Sequence, residues 1–391
     1  MNVLFLHNKY KQAGGEDLVL NEEYKLLCKY GHQCKISVLS NNTVIGLVNK
    51  IVTALNTVWS ISGYKFAKHS ITGFQPDIVH VHNFFPQLTP AIYDACIDAG
   101  VPVVQTLHNY RAVCPGALLM RNGKICEKCI TGSPYWAVWH HCYRHSIPGS
   151  WAVARMVSYH RKRLTWYEKV DRFIALTKFA RQKFLQGGFP GNKVVVKPNF
   201  YSEKERAGQE FVGRQGALFV GRLSTEKGVV TLLEAWRGLK ISLRIAGDGP
   251  LFSKYQKEHN KHISFLGQLT ANEVANEMNR ASFLVMTSEC YEGFPMVLVE
   301  AFAHSLPVVA TRLGGMAEIV EDGVTGLHFI PGNPQDLAEK VQWLHNHPEE
   351  CRNMGANARA NYVKKYTPER NYKILMNIYQ QAIIEQQRRC K

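Results

Sequence analysis

Short apolar runs ending in polar or glycine residues alternate with helical segments along almost the whole chain, and this constrains the fold more than any other feature. Strands joined through helices lie parallel, and a parallel sheet needs helices on both faces, so the class is α/β. In the first half, strands are predicted at Val3–His7, Cys34–Ser40, Asp77–His82, Val101–Leu107, Phe173–Thr177 and Val194–Lys197. A polar stretch from Tyr201 to Gln215 reads as a linker. The alternation restarts with Ala217–Val220, Ser242–Ala246, Ile263–Leu266, Phe283–Met286 and Pro307–Ala310. At 391 residues the chain exceeds one ordinary core. The expected organisation is two doubly wound domains, 1–200 and 201–367, with a terminal helix, 368–391, packing back on the first.

Ligands of open parallel sheets bind at the carboxyl ends of strands, and four successive strand ends of the second half carry suitable chemistry. The first runs Gly221-Arg222-Leu223 to Lys227-Gly228 and pairs a guanidinium fork with a point charge, a combination suited to a diphosphate. The next two are Gly247-Asp248-Gly249-Pro250 and Gly267-Gln268-Leu269. Glycines there allow close approach of a ligand or simply make a tight turn. In the fourth, Glu292-Gly293-Phe294-Pro295-Met296 opens an apolar helix that carries Glu300, and Pro295 suits its first turn. Free N–H groups at such a helix start, with the helix dipole, attract anions. Two carboxylates beside an anion site suit a ligand that is part hydroxyls and part phosphate, such as a nucleotide sugar.

These motifs, with Gly314-Gly315 further on, resemble family 4 glycosyltransferases, retaining enzymes of the GT-B fold in which two Rossmann-like domains face across a cleft. The likeness is strong in the second half and looser in the first. It implies that Arg222 and Lys227 hold the donor diphosphate, Glu300 the ribose and Glu292 the donor sugar, helped by N–H groups at Gly293, Phe294 and Met296. It places Gln268 and Leu269 against the base, with Gly247 at a strand end nearby. In the first domain it assigns Gly14 and Gly15 to a glycine loop near the phosphates and His108 to the transferred sugar, and it sets Lys197, Pro198 and Asn199 just before the crossover between domains. The expected activity is retaining transfer from a UDP- or GDP-type sugar to a saccharide acceptor, lipid-linked, in cell-surface polysaccharide biosynthesis. No Asp-x-Asp motif occurs, so no catalytic metal is expected, and two cations take its place. No carboxylate of the first half stands out as a nucleophile, which favours same-side substitution. An epimerase or a sugar phosphorylase of the same fold is the alternative. A nucleic-acid-binding protein would leave Glu292 and Glu300 unexplained.

Two further regions carry expectations. Of the ten cysteines, Cys114, Cys126, Cys129 and Cys142 cluster in an insertion at 110–150, with a C-x₂-C pair at its centre. They read either as a structural zinc site, with His140 or His141 as alternative ligands, or as unligated thiols. The formal charge of +16 is concentrated between Arg144 and Lys183, where Trp151, Trp166 and Tyr167 are interleaved. That is either a solvated helix face or a peripheral contact with an anionic membrane. From Thr43 to Ile61, apolar residues at helical spacing predict a helix packed on the first sheet, with a lipid- or acceptor-facing helix as the alternative. No run is long enough to span a bilayer, so the expected location is cytoplasmic, peripheral at the inner face of the membrane.

Overall fold

The computed structural model describes the chain except for residues 11–13, 44–45, 204–212, 257–259 and 390–391. Most of the predicted linker, and Val44, Ile45 and Cys390, therefore lie outside the described residues. The chain forms two compact units, one of Met1–Leu119, Cys126–Asn199 and Pro368–Lys391, the other of Met120–Ile125 and Phe200–Thr367.

The first unit is built on β1 (Asn2–Lys9), β2 (Gln33–Ser40), β3 (Ile78–Asn83) and β4 (Val103–Leu107). A hairpin of β5 (Met120–Arg121) and β6 (Lys124–Ile125) follows, and the main sheet resumes with β7 (Arg172–Ala175) and β8 (Val194–Val196). The order is β2-β1-β3-β4-β7-β8, with every neighbouring pair parallel. Strands β3 and β4 are buried along their whole length, as a sheet covered on both faces requires. The second unit contains β9 (Ala217–Val220), β10 (Leu243–Ala246), β11 (Ile263–Gly267), β12 (Phe283–Met286), β13 (Val308–Thr311) and β14 (Gly326–Phe329). These too form one parallel sheet, in the order β11-β10-β9-β12-β13-β14. Strand β14 was not anticipated, because Gly-Leu-His-Phe is too short and too mixed to read as a buried strand. In the second unit Trp236 is fully buried and donates from Nε1 to the Ile241 carbonyl at 2.9 Å, closing the core around Leu232, Leu243 and Ile245.

Each sheet reverses its winding once, between β1 and β3 and between β9 and β12. These are the topological switch points, where a crevice opens above the strand ends.

The first unit is fastened by a buried polar knot. Glu23, on helix Gly15–Lys29, places Oε1 2.5 Å from Lys197 Nζ, and both side chains are fully buried. Helix Pro368–Arg389 contributes Asn371, whose Oδ1 lies 3.4 Å from the same ammonium, and Tyr379, whose hydroxyl is 2.8 Å from His80 Nδ1. Burial by itself would raise the Glu23 carboxyl, but Lys197 and the two nearby histidines overcome it and hold the group well below the usual range. Lys197, which the family likeness placed just before the crossover, is thus an interior ion-pair partner.

Of the alternatives for the two surface segments, the structure favours an outward helix in one and moves particular residues of the other into the core. The stretch from Thr43 to Ile61 is broken after helix Gly46–Leu55, and that helix turns its apolar stripe outward: Val48 is 73% and Leu55 58% exposed, with Ile51 and Val52 beside them. Of the residues expected to pack on the sheet, Val58 alone is reported in the core among those described. In the basic segment Trp166 is only 4% exposed and stacks on Phe189, so it belongs to the core. Arg161, Lys169, Arg172, Arg181 and Lys183 are engaged by internal acceptors. Trp151 and Tyr159 remain outside, each under a cation, Arg155 at 5.5 Å and Arg163 at 5.7 Å.

Removing one partner of a fully buried ion pair leaves an uncompensated charge. Lys197→Met is therefore expected to cost about 3–5 kcal/mol in urea unfolding of the first unit. Glu23→Gln combined with it should recover part of the loss, and additive losses would show that the two groups are uncoupled.

Candidate functional site

In the second unit the chemistry gathers at the switch between β9 and β12. After β9 the chain turns through Gly228, whose φ is +66°; a Cβ there would lie 1.9 Å from the Thr287 carbonyl oxygen. Only glycine lets the two strand ends approach this closely, and the Thr287 hydroxyl donates to the Lys227 carbonyl at 2.8 Å across the gap. The result sets Lys227 Nζ 2.6 Å from Glu292 Oε1, and Ser288 Oγ donates to the same oxygen at 2.6 Å. Burial works against the Lys227 charge, but Glu292 more than offsets it, so its pKa rises and the side chain stays cationic. Arg222 is exposed beside this turn. Thr231 and Glu289 form a second pair, Oγ1 to Oε1 at 2.6 Å, which sequence reading missed because neither residue belongs to a motif.

The helix after the Glu292 loop is Met296–Ala303. Pro295 is its N-cap, with ψ of 107°, and not a residue of its first turn. No side-chain oxygen caps this start, and although the Leu298 N–H donates to the Pro295 carbonyl at 3.1 Å, the N–H groups of Met296 and Val297 have no partner within the helix and suit a ligand. Glu300 is half-buried on this helix, and burial pushes its carboxyl up to about 7. Gln268 is exposed and Leu269 half-buried at the end of edge strand β11. Gly247 has φ of +141°, and a Cβ there would strike the Gly221 carbonyl oxygen at 1.9 Å. The fold itself requires that glycine, whatever else approaches this strand end.

In the first unit the switch point lies between β1 and β3. Gly14 precedes helix Gly15–Lys29, and its N–H donates to Asp17 Oδ2 at 2.8 Å while His7 Nε2 holds Oδ1 at 2.9 Å. Gly14 has ordinary extended backbone, and a Cβ there would meet nothing within 4 Å. Among the described residues, nothing in the fold requires a glycine at this position. Glu16 bridges the switch point by accepting from Asn83 Nδ2 at 3.0 Å. Burial, with the neighbouring Asp17 charge, pushes its carboxyl from 4.5 to about 8. The first unit thus holds two carboxyls with shifted pKa values near its switch point, the half-buried Glu16 and the fully buried Glu23. The local signal for Glu16 was its place directly after a glycine pair at a helix start.

His108 follows β4 and is half-buried, its Nε2 2.9 Å from His82 Nδ1. The other nitrogen of His82 faces Glu23 Oε2 at 3.4 Å. This contact lacks hydrogen-bond geometry, but the carboxylate charge favours the tautomer with the His82 proton on Nε2, whose Nδ1 then accepts from His108 Nε2–H. That leaves His108 Nδ1 unprotonated, and burial keeps the ring neutral by holding its pKa well below 6.5. The relay was visible in sequence as His80 and His82 at i and i+2 on an otherwise apolar strand, where like spacing puts both on one face. Glu23, His80 and His82 also have donor atoms within 4.8 Å of one another, the spacing of a metal site. However, Thr106 and Tyr379 occupy both His80 nitrogens at 2.8 Å, and Lys197 already supplies the positive charge.

The insertion cysteines converge. Cys114, Cys126 and Cys142 all act on Cys129, whose thiol is pushed up to about 12, chiefly by burial. Backbone N–H groups of Leu119, Gly116 and Ala117 point at Cys114. A tetrahedral four-thiolate zinc, with bonds of ~2.3 Å, requires sulfurs closer together than these, since among the described residues no three of them meet within 4.8 Å.

Residues 41–204 match Glycosyltransferase Family 4, and residues 202–361 match Glycosyl transferases group 1. The chain belongs to this family and is a glycosyltransferase of the hexosyltransferase class. It is 28% identical over 354 residues to an uncharacterized glycosyltransferase of Methanocaldococcus jannaschii, covering 87% of this chain and 85% of the relative. It is 25% identical over 296 residues to the alpha-D-kanosaminyltransferase of Streptomyces kanamyceticus, covering 73% and 70%. Among solved structures, HepE of Anabaena in complex with UDP superposes over 97% of this chain and 100% of its own with a TM-score of 0.67. At 18% identity that likeness speaks for the fold alone, two Rossmann-like units of the GT-B type.

A raised carboxyl pKa gives a definite pH signature. The folded state holds the Glu16 proton more tightly than the unfolded chain, so its contribution is complete below about 4.5 and is lost as pH rises through about 8. In Glu16→Gln this loss disappears, and its Tm relative to the parent should climb between about pH 5 and pH 9. A constant difference across that range would place Glu16 in an ordinary, hydrated setting.

Proposed function

We propose that this enzyme transfers a sugar with retention from a nucleotide diphosphate sugar of the UDP or GDP type, held by the second unit, to a lipid-linked saccharide held by the first. The observation that carries the donor half is the Lys227–Glu292 pair beside an uncapped helix start at a topological switch point. Lys227 and Arg222 supply the charge that meets the leaving diphosphate, and backbone N–H groups from Gly293 to Met296 add donors. Once Lys227 turns to phosphate, Glu292 is free to bind sugar hydroxyls. Glu300, half-buried, suits the ribose hydroxyls, and Gln268 with Leu269 the base. HepE, crystallised with UDP and with UDP-glucose, supports a uridine-type donor.

On the acceptor side, neutral His108 with a bare Nδ1 suits a hydrogen bond from a sugar hydroxyl. Gly14 and Gly15, at the start of helix Gly15–Lys29, suit a place near phosphate. Protonated Glu16 is a donor at neutral pH and a poor nucleophile, which supports same-side substitution over a covalent intermediate. No catalytic metal is part of this reading. Among the described residues no helix is long and apolar enough to cross a membrane. The outward stripe of helix Gly46–Leu55, and Trp151 and Tyr159 under their arginines, support peripheral attachment to the inner face of the cytoplasmic membrane. A structural zinc on Cys114, Cys126, Cys129 and Cys142 belongs to the same proposal, supported by their convergence. It requires the sulfurs to close in on the ion, and it leaves no open position for catalysis.

Lys227→Ala should lower sugar transfer from a radiolabelled donor by about a hundredfold or more with the fold intact. Glu300→Ala should weaken UDP binding by about tenfold or more, read by calorimetry. Full activity in the first variant sinks the donor assignment. Elemental analysis of purified protein should find about one zinc per chain; a metal-free, fully folded sample would show that the cysteines are unligated thiols.

A further inference from the structure

The first unit contains a cavity of about 500 Å³ that the donor chemistry does not use. It lies between helix Gly46–Leu55 and helix Ile147–Lys162, and its walls are mainly Ile51, Ala54, Phe85, Pro86, Ala152 and Val153. A volume in this range is that of a ligand site, not of a packing defect. One end reaches Tyr10, which interacts with Glu16, Arg111 and Asn83 and so adjoins the polar cluster at the switch point. Two cations, Lys50 and Arg144, also line it. Arg111 lies over the rings of Phe85 and Tyr143, at 4.7 and 5.1 Å, at the inner end.

The cavity continues outward as apolar surface. Helix Gly46–Leu55 exposes Val48, Ile51, Val52 and Leu55 at i, i+3, i+4 and i+7, and Ile51 belongs to both the exposed stripe and the cavity wall. An apolar stripe of this kind normally faces a core. Here it forms a continuous path from the outside of the unit to the polar cluster, with positive charge along it. A ligand that matches this path has a hydrocarbon chain and an anionic, hydroxylated head.

We propose that this cavity takes the hydrocarbon chain of an anionic amphiphile, the lipid of a phosphate-linked acceptor, and sets its head group at the Tyr10–Glu16–Arg111 cluster. The proposal rests on the lipid-linked acceptor reading above and gives it a place. Apolar burial supplies most of the affinity, and the cations orient the head.

The test is calorimetric titration of the full chain with dodecyl phosphate below its micelle concentration, with inorganic phosphate and UDP titrated separately. Saturable binding of dodecyl phosphate, and much weaker binding of inorganic phosphate, are expected. Ala54→Phe, at a half-buried position, fills the cavity and should weaken dodecyl phosphate at least about tenfold while UDP binds as in the parent. Unchanged affinity in Ala54→Phe overturns the proposal, as does equal affinity for inorganic phosphate. Attachment to phosphatidylglycerol vesicles without binding of the soluble amphiphile overturns it too, since that result describes a surface contact and no cavity. UDP binding in the same samples reports on the second unit alone, so its loss counts against the donor assignment and leaves the cavity result standing.

Discussion

Neither Glu23 nor Lys197 is tolerable alone where it sits. Both side chains are cut off from water, and isolated charges in such surroundings cost several kcal/mol each. Together, with Asn371, they form a knot that joins the first helix, the end of β8 and the terminal helix, while His80 links the same knot to β3 and Tyr379. Hydrophobic burial gives this unit its stability, but a layer of apolar side chains tolerates many arrangements. An ion pair with fixed partners at 2.5 Å tolerates few. The same carboxylate faces His82, and through it favours which nitrogen of His108 carries the proton. One buried charge thus bears on both the closure of the unit and the tautomer of His108 at the end of β4.

The two switch points use this rigidity in different ways. In the second unit a short glycine turn presses two strand ends together, so that Lys227 and Glu292 meet as a pair whose members have separate tasks toward one ligand. In the first unit two groups are muted: Glu16 is held protonated and His108 neutral. One site is thereby strongly polar and suited to a diphosphate. The other sets the neutral Glu16 and His108 beside the Arg111 cation and Asp17, whose carboxyl is held below its usual range.

Much of this was legible in the residues. Strand alternation gave both sheets, because apolar runs of four to six residues bounded by glycine have few other uses. Spacing at strand ends, which local sequence preserves, marked Arg222, Lys227, Glu292 and Glu300 as a ligand site, and the likeness to family 4 glycosyltransferases supplied their separate roles. What escaped was set by distance along the chain. Glu23 and Lys197 are separated by most of a domain, and Asn83 gains meaning only beside Glu16. The outward stripe of helix Gly46–Leu55 misled for a related reason, since periodicity shows that a face is apolar and not what it faces. Trp166 erred in the opposite direction: its basic neighbours suggested a surface, while Phe84, Phe173 and Phe189 surround it.

The terminal helix has a consequence for how the protein is made. Asn371 and Tyr379 complete the polar knot of the first unit, yet they leave the ribosome only after the whole second unit has been synthesised. At roughly 5–20 residues per second, the first unit waits about ten to forty seconds with Lys197 paired only to Glu23 and His80 only to Thr106, short of Asn371 and Tyr379. During that wait a growing chain holds an unfinished unit ahead of one that can finish by itself. The second unit is therefore placed to fold first, although it is second in sequence, and the enzyme becomes whole from its middle outward.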